Sequence, residues 1–133
     1  MSAKVPAKNL KLKRAYEAPA SADGRRVLVD RLWPRGVRKD AAGLDEWAKD
    51  VAPSDGLRRW YGHEPEKFAE FARRYRAELK ESPGNQVVTR LRAEATSRPV
   101  TLVTATRDVE HSGAAVLRDV LAGRSTRAAT TVD

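Results

Sequence analysis

Two short runs rich in β-branched residues constrain the fold of this chain more than any other feature. RVLVDRL at 26–32 lies between Gly24 and Pro34, and PVTLVTAT at 99–106 follows Arg98. Short apolar runs of this kind are typical of strands inside a parallel sheet. Since most of the chain between and after them has helical spacing, the sequence predicts an α/β domain with a short, mainly parallel β-sheet flanked by several helices.

Periodicity and breaker residues predict the remaining elements. Residues 9–16 alternate apolar and basic side chains, which indicates an edge strand protected by its lysines. Ser54 and Ser112 each precede a helical stripe and are the predicted N-caps. Helices are expected over 43–50, 54–61, 65–81 and 87–95, and near 112–122, before Gly123.

Length and composition predict one domain. A chain of 133 residues can bury a core without a disulfide, and this one has no cysteine. We expect a single domain over 9–123, with a basic tail at 1–8 and a loose tail at 124–133. The lack of cysteine excludes disulfides, a thiol nucleophile and thiolate metal sites. With no recognisable secretory or membrane segment, we expect a cytoplasmic protein without membrane contact.

The net charge of +8 is unevenly distributed. Residues 1–39 contain eleven lysines and arginines against three acidic residues, whereas residues 40–133 contain fifteen of each. Such a basic end favours solubility or a loose contact with a polyanion. It supports one alternative function, a nucleic-acid-associated basic module, although the sequence has no recognised nucleic-acid-binding motif.

Polar residues follow both predicted buried strands. In parallel sheets, ligands bind beyond the carboxyl ends of the strands. The segments 30–36 and 104–112 should therefore meet at one rim. The candidate ligand-binding residues there are Arg31, Trp33, Arg35, Thr104, Thr106, Arg107 and Ser112.

Each of these residue types permits a functional and a structural interpretation. Arg31, Arg35 and Arg38 can clamp a phosphate or carboxylate, or they can pair with neighbouring acids and face solvent. Trp33 can form the wall of a pocket or fill the core beside a strand end. Trp47 is assigned to the core.

Three residues at this rim can transfer protons: Asp30, Asp108 and His111. Asp30 is a candidate general base or metal ligand, or a carboxylate that holds its loop through hydrogen bonds. His111 is a candidate proton shuttle, or a surface or capping residue. With two histidines and no cysteine, we expect no metal site and no cofactor, and we assign His63 to bonding across a helix junction.

The leading interpretation is binding of an anionic small molecule of phosphate-ester or nucleotide type, with or without a reaction. A third hypothesis, a protein-interaction adaptor, would be supported by an exposed apolar patch that includes Trp60 and Tyr61.

Three stretches carry a resemblance to a known family. VDRLWPRG at 29–36, LDEWAKDVAPSDGLRRWYGH at 44–63 and TLVTATRDVEHSGAAVL at 101–117 resemble the YeaO-like branch of the domain of unknown function 488 family. The resemblance extends from about residue 10 to residue 122 and implies a small bacterial cytoplasmic protein, without naming a reaction. Distant branches carry a Cys-His-Arg-like element where this chain has Ser112 and Gly113, so thiol chemistry does not carry over.

Overall fold

The computed structural model describes residues 5–124. Four parallel strands form one sheet in the order β1-β4-β2-β3. The strands are β1 (Leu10–Arg14), β2 (Arg25–Leu28), β3 (Glu46–Trp47) and β4 (Val100–Thr104). Four α-helices accompany them: α1 (Asp55–Tyr61), α2 (Phe68–Glu78), α3 (Gly84–Ala95) and α4 (Gly113–Ala122). Short 3-10 helices cover Ala7–Asn9, Ser21–Asp23, Lys49–Val51, Pro65–Lys67 and Val109–His111.

The architecture confirms the predicted α/β class, and the sheet is entirely parallel. Strand β1 lies at one edge of the sheet, as its alternating pattern indicates. Ser54 and Ser112 are N-caps, since their hydroxyls accept hydrogen bonds from the N–H groups of Leu57 and Ala115 at 3.2 Å. In the described part of the chain, no helix has the length and hydrophobicity needed to span a membrane.

The predicted helix at 43–50 is wrong. Trp47 lies instead in β3 and pairs with Leu28 of β2, and a 3-10 helix follows. The N–H of Ala48 donates to the carbonyl of Leu28 at 2.8 Å. A helix of two turns is marginal in isolation, so pairing with the sheet edge outweighs helical propensity here.

The strand predicted over 26–32 ends earlier than expected. The last residue of β2 is Leu28, although the N–H of Val29 still donates to the carbonyl of Val103 at 3.1 Å. From Asp30 onwards the chain leaves the sheet and forms a loop that continues to β3. This early exit places the predicted rim residues in a loop rather than in a strand.

The two faces of the sheet are covered differently. Val27 and Leu102 face the main core, which the helices complete. Leu28 and Val103 point to the opposite face, as alternation along a strand requires. That second face is covered by side chains of the loop between β2 and β3 and by the indole of Trp47 in β3. The loop side chains are Trp33, Val37 and Leu44.

Candidate functional site

A cavity of about 400 Å³ opens at the carboxyl ends of β2 and β4. It is lined by residues 29–35 after β2, by 105–106 after β4 and by 112–114 at the start of α4. The structure therefore brings together the two polar segments that the sequence placed at one rim. The remaining wall consists of Tyr16, Ala52, Pro53, Arg58, Tyr61, His63 and Phe71.

Asp30 joins the two central strands beside this cavity. Its Oδ1 accepts from the hydroxyl of Thr104 and its Oδ2 from the N–H of Ala105, both at 2.8 Å. Burial raises the pKa of Asp30 above its ordinary value, while these two hydrogen bonds act in the opposite direction. The carboxylate thus has the loop-holding role, and it also lines the cavity.

Thr104 lies behind Asp30 rather than in the cavity wall. Its side chain is buried, and its hydroxyl also accepts from the N–H of Thr106 at 3.2 Å. Thr104 therefore supports the site, whereas the neighbouring Thr106 lines the cavity.

Replacing Thr104 by valine should lower the free energy of unfolding by about 1–2 kcal/mol, because Asp30 loses a donor and Thr106 loses an acceptor. Thr106→Val is the matched control, since that residue is partly exposed and its change should stay within about 0.5 kcal/mol. Urea denaturation of both variants measures the difference, and equal losses would show that the buried hydroxyl contributes nothing specific.

The arginines of the loop differ in their surroundings. The Nε of Arg31 lies 3.8 Å from Oδ1 of Asp55, which is further away in sequence than the acidic residues expected to pair with it. The same Nε–H donates to the carbonyl of Pro53 at 3.4 Å. Arg35 is exposed at the cavity mouth. Arg38 pairs with Asp40 at 2.8 Å.

Trp33 packs beside the end of a strand and also lines the cavity. Its Nε1–H donates to the carbonyl of Val37 at 2.7 Å, which closes the loop, and its ring packs edge-to-face on Trp47 at 5.4 Å. Trp47 donates its own Nε1–H to the carbonyl of Asp30 at 2.8 Å, in agreement with a structural role. The two indoles therefore fix the loop that carries Arg31 and Arg35.

A smaller cavity of about 280 Å³ adjoins the first and shares Tyr61, His63, Ala105 and Thr106 with it. Arg107, Asp108 and His111 complete its lining. The candidates for proton transfer are thus divided, since Asp30 lines only the larger cavity and the other two line the smaller one.

His111 is held from two sides at this smaller cavity. Its Nδ1 lies 2.7 Å from Oδ2 of Asp108, and its ring packs edge-on against Phe68 at 5.1 Å. The hydroxyl of Tyr61 donates to the carbonyl of His111 at 2.6 Å. Burial, together with the charge of Asp108, raises the pKa of Tyr61 from 10 to about 12.

His63 lines both cavities, and its ring lies 6.0 Å from that of Tyr61. Its bonding across the helix junction stays a prediction. His63 has a φ of 58° and is the one non-glycine residue with positive φ among residues 5–124. The hydroxyl of Ser112 donates to the carbonyl of Val109 at 2.6 Å and caps α4, so it is fully engaged although it lines the cavity. Within residues 5–124, no cluster of three or more metal-ligating side chains occurs.

Several of the cations that make the first third of the chain basic are paired internally. Asp23 binds both Lys13 and Arg26, at 3.0 and 2.6 Å. Arg25 lies 2.7 Å from Glu46 and 3.2 Å from Glu94.

The apolar patch at Trp60 and Tyr61 that would support the adaptor hypothesis is not exposed. Tyr61 is buried, and its ring stacks on Phe71 at 4.3 Å. Trp60 is partly buried, with Lys67 and Arg74 over its ring.

Some lining residues could not be found from the sequence. Tyr16 reaches the cavity from the turn after β1, Phe71 from α2 and Arg58 from α1. Their local patterns indicate only a strand end and helix faces. The rule that ligands bind beyond the carboxyl ends of parallel strands identifies the lining residues that follow the strands. It does not identify the helices that form the rest of the wall.

The fold is that of a small α/β protein with a cavity of about 400 Å³ at the carboxyl ends of its parallel strands. The chain belongs to the domain of unknown function 488 family, as its resemblance predicted. The family model that matches it is described as the inactive DUF488-N3 subclade and covers residues 9–132.

Relatives with high identity span almost the same length. The uncharacterized protein Rv3073c of Mycobacterium tuberculosis is 50% identical over 115 residues, which cover 86% of this chain and 95% of the relative. The uncharacterized protein YeaO of Escherichia coli is 40% identical over 113 residues, covering 85% and 96%. A search of solved structures gives no significant match.

Proposed function

We propose that this protein binds an anionic small molecule of phosphate-ester or nucleotide type in the larger cavity. The observation that carries the proposal is a cavity of about 400 Å³ whose largely apolar walls are bordered by Arg31, Arg35 and Arg58. Cavities of this size and character are typical of small-molecule sites, where a few polar groups orient the ligand.

Arg35 is the strongest candidate for the anion contact. Arg31 and Arg58 share the carboxylate of Asp55, at 3.8 and 3.3 Å. Among residues 5–124, Arg35 makes no ion pair, and its backbone is held because its carbonyl accepts from the hydroxyl of Tyr16 at 3.0 Å. A guanidinium on a fixed loop is suited to bidentate binding of a phosphate or carboxylate.

Helix α4 adds a second source of positive potential. Its ten residues begin at Gly113, and residues 112–114 form part of the cavity wall. The N-terminus of a helix favours negative charge through its dipole and its first N–H groups. This position adds positive potential to the cavity as a whole and favours a ligand with net negative charge over a cation, while Arg35 remains the direct contact for the anionic group.

Several observations favour binding without turnover. The subclade is described as inactive. The hydroxyls of Ser112 and Thr104 are engaged in hydrogen bonds with the protein, and the chain has no cysteine. The carboxylate of Asp30 holds two donors of its own chain.

Calorimetric titration with nucleoside monophosphates, sugar phosphates and carboxylates tests the proposal. We expect Arg35→Ala to weaken binding at least tenfold, a loss of about 1.4 kcal/mol, because it removes the unpaired cation. Arg38→Ala is the matched control, since it lies in the same loop but outside the cavity wall. Equal effects of the two variants, or no binding by any compound, would contradict the proposal.

Duplex DNA in the same titration tests the nucleic-acid alternative. Binding that falls steeply with salt and persists in Arg35→Ala would favour a basic surface over the cavity.

A further inference from the structure

We infer that the ligand enters the larger cavity with a pair of hydrogen-bond donors first, directed at Asp30, and keeps its anionic group at the mouth beside Arg35. A guanine nucleotide is the compound class with this arrangement. This inference rests on the proposed function and adds the ligand's orientation and base.

The cavity has a buried end and an exposed end. Phe71, Ser112 and Ala114 are each 2% exposed and form its floor. Leu32 and Tyr16 are 63% and 50% exposed and form its lip. Arg35 lies on the same loop as Leu32 and is also exposed, so the anion contact belongs to the mouth.

Asp30 can accept two more hydrogen bonds. A carboxylate has about four acceptor sites, and each oxygen of Asp30 receives one hydrogen bond from the protein. Asp30 as a residue is partly exposed, and it lines the cavity. A carboxylate at low dielectric is stabilised by further donors, so two adjacent N–H groups on a ligand complement it.

The walls between the floor and the mouth favour a flat, apolar body. Trp33 and Pro53 line this region, and the floor below them is aromatic, since the ring of Phe71 there stacks on that of Tyr61. Aromatic and proline surfaces pack well against a planar ring.

Guanine combines these properties. Its N1–H and its exocyclic amino group form a fork of adjacent donors that matches a carboxylate. Adenine presents an acceptor at N1, which faces the carboxylate unfavourably. Inosine monophosphate keeps N1–H but lacks the amino group, so it is the intermediate case.

Titration with GMP, IMP and AMP at pH 8 tests the inference. We expect wild type to bind GMP at least tenfold more tightly than AMP, with IMP between them. Asp30→Asn should reduce the GMP to AMP ratio to less than about threefold, and Asp30→Ala should do the same. Arg35→Ala should weaken all three nucleotides and leave the ratio unchanged.

The ratio is informative even if a variant at Asp30 is less stable, because both nucleotides titrate the same folded population. Equal wild-type affinities for GMP and AMP, both lost in Arg35→Ala, would overturn this inference while the proposed function stands. A ratio that persists in Asp30→Asn and Asp30→Ala would also overturn it. Failure of every phosphate ester and carboxylate to bind would overturn both.

Discussion

Replacing Gly24 by alanine is expected to lower the free energy of unfolding by roughly 2–5 kcal/mol, the sum of backbone strain and overpacking. Gly24 has a φ of 63° and a ψ of −137°, a combination that is adopted almost only by glycine. A Cβ atom there would lie 2.2 Å from the carbonyl oxygen of Pro99. That oxygen accepts from the N–H of Arg25 at 3.1 Å, at the start of the pairing between β2 and β4. Relief of the clash therefore requires separation of the two central strands.

Gly36→Ala provides the matched control for this experiment. Gly36 also has a positive φ, 80°, but the Cβ atom of an alanine at this position would have no atom within 4 Å beyond its immediate chain neighbours. The free energy of unfolding of Gly36→Ala should therefore fall only by the cost of the backbone strain, about 1–2 kcal/mol. Urea denaturation of both variants isolates the contribution of the contact with Pro99. Losses of the same size would mean that this contact is not restrictive.

The parts of the fold that depend on local pattern could be predicted from the sequence. The stripe of Phe68, Phe71, Ala72 and Tyr75 predicts α2, and all four residues are buried. The two serine caps follow from the preference of hydroxyls for the first free N–H groups of a helix. The rim follows from the parallel strands alone, because their carboxyl ends must meet.

The parts that depend on tertiary pairing could not be predicted. In residues 43–50 the spacing of Leu44 and Trp47 fits a helix, yet both side chains pack on the second face of the sheet. Trp47 is fixed there by a bond to the carbonyl of Asp30, a partner 17 residues away. Such long-range bonds leave no periodic signal in the sequence. Strand alternation does not predict the shared face either, because Leu44 lies before the two-residue strand β3 and packs there from the preceding loop.

In the candidate site, too, the residues that share one segment could be predicted, and those that tertiary packing brings in could not. The sequence supplies the charged residues of the loop after β2, because they lie in one segment. It does not supply Arg58 or Phe71, which reach the cavity from α1 and α2. It also does not distinguish Arg35, which has no ion pair among the described residues, from Arg31, which shares Asp55 with a neighbouring arginine. That difference depends on where α1 packs.

Asp23→Asn is the second substitution with a large expected effect, a loss of about 3 kcal/mol in the free energy of unfolding at neutral pH. Asp23 is 5% exposed and accepts from Lys13, from Arg26 and from the N–H of Ala20. Arg26 is only 3% exposed, so removal of the negative charge leaves a buried guanidinium without its counter-ion. The carbonyls of residues 42 and 43, which also bind Arg26, are neutral and cannot replace that charge. Asp40→Asn removes the exposed partner of Arg38 and should change stability by less than about 0.5 kcal/mol.

The cost of Asp23→Asn should depend on pH. Burial alone would raise the pKa of Asp23, but hydrogen bonds from Lys13, the N–H of Ala20 and Arg26 outweigh it and lower the pKa from 3.8 to about 2. A carboxylate with a lowered pKa in the folded state stabilises the fold above its unfolded pKa, and this stabilisation is lost as the pH falls towards the folded pKa. The difference between wild type and Asp23→Asn should therefore be constant from about pH 7 to pH 5 and should shrink below about pH 4. Urea denaturation across this range measures it, and a difference that does not shrink in acid would show that the ionised carboxylate is not the stabilising group.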